Sequence, residues 1–214
     1  MADERRAPLA TWADRLNGVD VHSGGRLRIR EIPFTSQVDV RVGAAGVPLV
    51  SDALGVGLPT EPNTFAAHGN VTVGWLGPDE WLVLSPPGTS VEMAAHLRSA
   101  LDGHPASVVD VSAQRTTVVV GGPAARDMLA HGCALDLGRT LGVGRCAQTM
   151  LARAQVILWH PLDDEFRMLV RASYAGYLAS WLLDAAAEHM VMKHSEGVKH
   201  GRAAMRGPRA ATRA

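Results

Sequence analysis

Apolar and polar positions alternate along much of this chain, and the alternation stops at recognisable turn residues. "RLRIREI" (26–32) and "QVDVRV" (37–42) alternate and predict two short half-buried strands. "GVGLPTEPNTFAAHGN" (55–70) collects Gly, Pro and Asn and reads as a connecting loop. "VTVGWLGPDEWLVL" (71–84) then predicts a hairpin around Gly77-Pro78-Asp79-Glu80. The period changes in "TSVEMAAHLRSAL" (89–101), where Met93, Leu97 and Leu101 line one helical face behind a Thr89 or Ser90 cap. "SVVDVS" (107–112) and "RTTVVVGG" (115–122) are again β-prone. Pro123 opens a second helix at a position where its missing N–H costs nothing.

Beyond the glycine-rich link "LGRTLGVGR" (137–145), residues 146–160 hold one or two strands. "PLDDE" turns the chain and "FRMLVRA" (166–172) returns it. A last helix, 173–190, carries Tyr174, Tyr177, Leu178, Trp181, Leu182 and Ala185 on one stripe, with Ser173 as its N-cap. Strand-strand-helix units thus recur over 71–101, 108–131 and 155–190. That rhythm predicts an α+β fold, a mostly antiparallel sheet with helices packed on one face. The domain is expected over 26–192, with two subdomains meeting near 102–107 as an option. Residues 1–25 form a lead segment, and 193–214 a basic, solvated tail.

The hairpin has two faces to account for. A turn at 77–80 pairs Leu76 with Trp81, Trp75 with Leu82, Gly74 with Val83 and Val73 with Leu84. Val71, Val73, Trp75, Leu82 and Leu84 then share a wholly apolar face that belongs in the core. The opposite face carries Leu76, Trp81 and Val83 near the turn. Either a helix of the same chain or another chain must cover that cluster, which makes these three residues the candidate interface.

Composition narrows the function. The 214 residues are 47% hydrophobic and carry a formal net charge of +0, so the overall field gives no reason to expect nucleic acid as a partner. Six basic residues against one acid give the tail from Lys193 a charge of +5 and leave residues 1–192 at −5. Cys133 and Cys146 are spaced as reduced thiols. No apolar run approaches the ~18 residues of a membrane span, and the N-terminus lacks the apolar region of a signal peptide, so a cytoplasmic, soluble chain is expected. Catalytic motifs fail on spacing. "GVGLPT" (55–60) and "GVGRCA" (142–147) both lack the third glycine of a dinucleotide loop, and no serine sits in a GxSxG elbow. Ser112 lies near Asp110 and Arg115 and reads as a turn residue between strands. Asp79-Glu80 and Asp163-Asp164-Glu165 fall in turns, where acids serve solvation and turn geometry. No catalytic, cofactor-binding or metal-ligating residue is assigned.

Four blocks, in order, resemble the gamma subunit of heterotetrameric sarcosine oxidase: "WLGPDEWLVL" (75–84), "VVDVSAQRTTVVVGGPAARDMLAHGCALDL" (108–137), "CAQTMLARAQVILW" (146–159) and "FRMLVRASYAGYLASWLLDAAAE" (166–188). The resemblance spans roughly residues 30 to 190. It implies a fold like the folate-binding domain of the glycine-cleavage T-protein. It implies a non-catalytic role beside alpha, beta and delta subunits, in a complex that oxidatively demethylates sarcosine to glycine. FAD, FMN, NAD, zinc and tetrahydrofolate are then expected in those other subunits, and none on this chain. The competing expectation is a free-standing folate-binding or one-carbon-transfer protein, for which Asp110 with Tyr174 or Tyr177 is the candidate pterin contact.

Overall fold

A computed structural model describes residues 5–190. Within them the strands are Arg28–Ile32 (β1), Ser36–Val42 (β2), Phe65–His68 (β3), Val71–Gly77 (β4), Glu80–Ser85 (β5), Ala106–Asp110 (β6), Arg115–Gly121 (β7), Arg145–Leu151 (β8), Ala154–Leu162 (β9) and Glu165–Arg171 (β10). The α-helices are Ala13–His22 (α1), Val47–Leu54 (α2), Ser90–Ala100 (α3), Ala125–Ala130 (α4) and Ala172–Ala186 (α5). The basic tail from residue 193 lies outside the described residues.

The strands build two five-stranded sheets, ordered β1-β7-β10-β9-β8 (sheet A) and β3-β4-β5-β2-β6 (sheet B), and every named pairing is antiparallel. Alternation along each strand gives each sheet two apolar faces. One face of sheet A packs under α1, α4 and α5 through residues such as Leu16, Val118, Met128, Phe166 and Leu178. One face of sheet B packs under α2 and α3 through Val38, Val40, Val50, Val83 and Leu97. The remaining faces meet each other, with Leu82 of sheet B against Cys146, Ile157, Trp159 and Leu169 of sheet A. The α+β architecture with helices on one face is therefore present twice, back to back, in four layers.

Several expectations change in this frame. The unit at 108–131 is divided, because β6 pairs with β2 in sheet B while β7 pairs with β1 and β10 in sheet A. The chain thus changes sheets between Asp110 and Arg115, not near 102–107. The lead segment is part of the core, with Leu9, Leu16 and Val19 buried against sheet A. The loop at 55–70 contains β3, which adds an edge strand beside β4. On α5 the buried stripe is Ala175, Leu178, Ala179, Leu182 and Ala186. Tyr174 and Tyr177, expected on that stripe, stand exposed instead, because the small alanines are what fit closely against the sheet. Ser173 does not cap the helix; Arg171 holds the N-cap position, without a side-chain cap. Gly122 (φ +104) carries the turn from β7 past Arg26, whose carbonyl would collide with any Cβ there.

Candidate functional site

The β4–β5 hairpin does not have the register that its turn suggests. Its pairs are Thr72 with Leu84, Val73 with Val83, Gly74 with Leu82 and Trp75 with Trp81, and then Gly77 with Glu80. Leu76 is the extra residue of a bulge, and one inserted residue shifts the pairing by one and exchanges the faces on one strand. Trp75 and Trp81 therefore stand opposite each other on the same face, with Val73 and Val83, beneath α2 and α3. Trp81 is 2% exposed, and its indole N–H donates to the Pro59 carbonyl at 2.8 Å. Trp75 is only half-buried at the margin of this core. The assignment of Trp81 and Val83 to an interface is corrected: both lie inside the chain's own core. Leu76, half-buried, points to the other core, between the sheets.

That second face is closed by sheet A. Gly74 lies under the Trp159 indole, and a Cβ at this glycine would come within 2.7 Å of the ring. Phe65 tilts against Trp159 with centroids 5.1 Å apart. Gln148 of β8 donates its side-chain amide to the Leu76 carbonyl at 3.0 Å, joining the two sheets across the bulge. Cys146 packs beside it with its thiol 3.3 Å from the Thr64 carbonyl. Burial pushes that thiol up to about 11, against smaller opposing effects of the Trp75 backbone and Arg145, so the sulfur is a packing group and not a nucleophile.

Charge collects at one end of the space between the sheets. Asp39 of β2 is raised above the usual carboxylate range by burial, then by the Glu80 carboxylate through charge and a shared hydrogen bond, while Arg41 and Arg115 act the other way. Arg41 bonds Glu80 at 2.7 Å. Arg115 is lowered by burial and by the like charge of Arg171, its cross-strand partner. The acids expected to sit idle in the hairpin turn are thus half engaged: Glu80 belongs to this cluster.

The register of sheet A explains why the cluster has an open side. Arg115 pairs with Arg171, Leu169 with Ile157, and Met150 with Gln155, which sets Arg115, Arg171, Gln155 and Met150 in one row across four strands. The next row, Thr117, Leu169, Ile157 and Gln148, includes residues of the core between the sheets. The first row lies past that core and borders a cleft of about 460 Å³. Met150 is 42% exposed, and Gln155 and Arg171 are exposed as well. A second cleft of about 510 Å³ adjoins it and adds Arg153, Ser173 and Tyr174. Of the residues lining these two clefts, only Arg115 and Tyr174 were singled out in the sequence for function.

The other candidates are placed as follows. Ser112 donates both its hydroxyl (2.5 Å) and its N–H (2.9 Å) to Asp110 Oδ1, closing a tight turn where the chain changes sheets. Burial raises Asp110, but hydrogen bonds from Ser112 and Ser90 and the charge of Arg5 leave its carboxyl below the usual value. Tyr177 is exposed on α5, its hydroxyl accepting the Arg153 N–H at 3.2 Å. Asp110 ends a strand of sheet B and the tyrosines ride on α5 over sheet A, so the proposed pterin contact is divided between the two halves. Among the described residues no group of three or more His, Cys, Asp and Glu is placed to hold a metal ion. No helix among them is long and apolar enough to cross a membrane.

This geometry has close counterparts. The sarcosine oxidase gamma subunit family model matches residues 39–188. The gamma subunits of sarcosine oxidase from Corynebacterium sp. (strain P-1) and Arthrobacter sp. are each 37% identical over 188 residues, covering 86% of this chain and 91% of theirs. A chain of the heterotetrameric sarcosine oxidase from Corynebacterium sp. U-96, solved in complex with pyrrole 2-carboxylate, superposes with a TM-score of 0.80 at 34% identity, over 87% of this chain and 97% of that one. The glycine-cleavage aminomethyltransferase T from Bartonella henselae superposes with a TM-score of 0.62 at 15% identity over 82% of this chain and 56% of its own, a likeness of fold. Matched along most of its length in sequence and in structure, this chain belongs to the sarcosine oxidase gamma subunit family.

Proposed function

We propose that the chain is the non-catalytic gamma subunit of a heterotetrameric sarcosine oxidase, in a complex that converts sarcosine to glycine. The one-carbon unit leaves as formaldehyde or methylene-tetrahydrofolate, and oxygen is reduced to hydrogen peroxide. The observation that supports this most directly is the match at 34% identity to nearly the whole of a chain from a solved heterotetramer. On this reading the alpha, beta and delta subunits hold FAD, FMN, NAD, zinc and the folate site. This chain contributes a rigid two-sheet body to the assembly. Likeness to a soluble enzyme complex supports a cytoplasmic location.

The test is reconstitution. Co-expressed with the other three subunits, the chain is expected to purify in one complex that oxidises sarcosine. Expressed alone, it is expected to show no flavin absorbance and no sarcosine turnover. Robust turnover by the isolated chain would overturn the proposal. Micromolar binding of tetrahydrofolate by the isolated chain in calorimetry would favour a folate-binding protein instead.

A further inference from the structure

Within that reading, on which this inference rests, we infer that the uncovered row of sheet A, with the start of α5, is a docking surface for an acidic segment of another subunit. The argument begins with charge. The two adjoining clefts are lined by three arginines, Arg115, Arg153 and Arg171, and by no acid. Asp39 and Glu80 lie behind Arg115 and offset it from within the chain. Arg153 and Arg171 form no ion pair among the described residues. Arg115 and Arg171 are directly opposite each other on neighbouring strands, an arrangement of like charges that disfavours the isolated sheet. A carboxylate set between them removes that repulsion and can be held in a forked, two-bond geometry.

The apolar part of the surface fits a protein occupant. Met150 and Tyr174 are 42% and 49% exposed and flank the arginines. Met, Tyr and Arg are the side chains enriched where proteins bind one another, because they combine large contact area with a polar or adaptable tip. β8 is also the last strand of sheet A, so this surface continues to a sheet edge. The partner segment is therefore acidic, carrying carboxylates spaced to meet Arg153 and Arg171, with apolar side chains between them for Met150 and Tyr174.

The experiment uses the complete complex. The double variant Arg153→Glu/Arg171→Glu, co-expressed with the other subunits, is expected to lower the fraction of complex containing this chain about tenfold or more at physiological salt. Arg30→Glu, on the opposite edge strand β1, serves as the charge control and is expected to assemble like the wild type. Undiminished assembly of the double variant overturns the inference, as does equal loss with the control. Hydrogen exchange of the wild-type chain, free and in the complex, does not depend on any variant folding. Amides of residues 148–155 and 171–177 are expected to gain protection on assembly; unchanged exchange there overturns the inference. Protection that already arises with concentration in the isolated chain assigns the surface to a second copy and also overturns it. If the wild-type chain joins no complex at all, the gamma-subunit reading fails first, and the two failures are told apart.

Discussion

The two tryptophans of the hairpin give the sharpest test of the bulged register. Trp81→Ala removes an indole that is 2% exposed in the core beneath α2 and α3. Emptying such a site costs about 3–5 kcal/mol, since the surrounding side chains relax only in part. The Pro59 carbonyl also loses its indole donor, which adds about 1 kcal/mol. The sum approaches the whole stability of many domains, about 5–15 kcal/mol. For a chain of this size it corresponds to a fall in Tm on the order of 10–20 °C. Trp75→Ala removes a half-buried ring at the edge of the same core and is expected to cost roughly 1–3 kcal/mol. Trp81→Phe separates the two contributions at Trp81: it keeps most of the apolar area, loses the hydrogen bond, and is expected to cost about 1–2 kcal/mol. Urea titrations of the isolated chain followed by far-UV circular dichroism measure all three without relying on tryptophan emission. A cost at Trp75 equal to or above that at Trp81 would refute the register, because an unbulged hairpin puts Trp75, not Trp81, in the centre of the core.

Two further substitutions probe the core between the sheets. Gly74→Ala sets a methyl group within 2.7 Å of the Trp159 ring, so a loss of about 1–3 kcal/mol in the same titration is expected; no loss would mean the sheets are not in contact there. Cys146, pushed up from 9.0 to about 11 by burial, stays neutral in the folded chain where the unfolded chain ionises. Its contribution is complete below pH 9.0 and is lost as pH rises to about 11, about 2–3 kcal/mol in all, so the stability of wild type and Cys146→Ala should converge over that window; parallel curves would show that the thiol is not buried.

Alternation and turn chemistry made most elements legible. β1, β2, β4, β5, α3, β7, β10 and α5 all lie where periodicity and Gly-Pro or Pro-Asp signals place them. What local pattern could not supply was the assignment of strands to sheets. β6 and β7 are consecutive, β-prone and separated by a short turn, which is the outward form of a hairpin. Yet the Ser112–Asp110 turn sends the chain from one sheet to the other, and only the pairing of β6 with β2 and of β7 with β1 and β10 reveals it. The helix stripe on α5 held at Leu178 and Leu182 but missed at the two tyrosines for a related reason. Hydrophobicity weights Tyr174 and Tyr177 as core residues, whereas close packing on the sheet selects Ala175, Ala179 and Ala186, with Leu178 and Leu182 between them.

The surface residues were hidden by the same non-locality. A single bulge at Leu76 exchanges the hairpin faces, so the apolar cluster that alternation presented to a partner is internal. In its place the exposed row draws one residue from each of four strands, Arg115, Arg171, Gln155 and Met150, which are separated by up to 56 positions in sequence and by no motif. Each alone reads as an ordinary solvated side chain. Only the shared register brings two arginines face to face beside an exposed methionine and leaves them past the end of the core between the sheets. Leu82, Ile157, Trp159 and Leu169 fill the space between the sheets and helices cover the outer faces, so recognition is left to the surfaces past these cores. Of these, the one where Arg153 and Arg171, in no ion pair among the described residues, stand beside exposed Met150 and Tyr174 has both a reason to attract a partner and the apolar area to hold it.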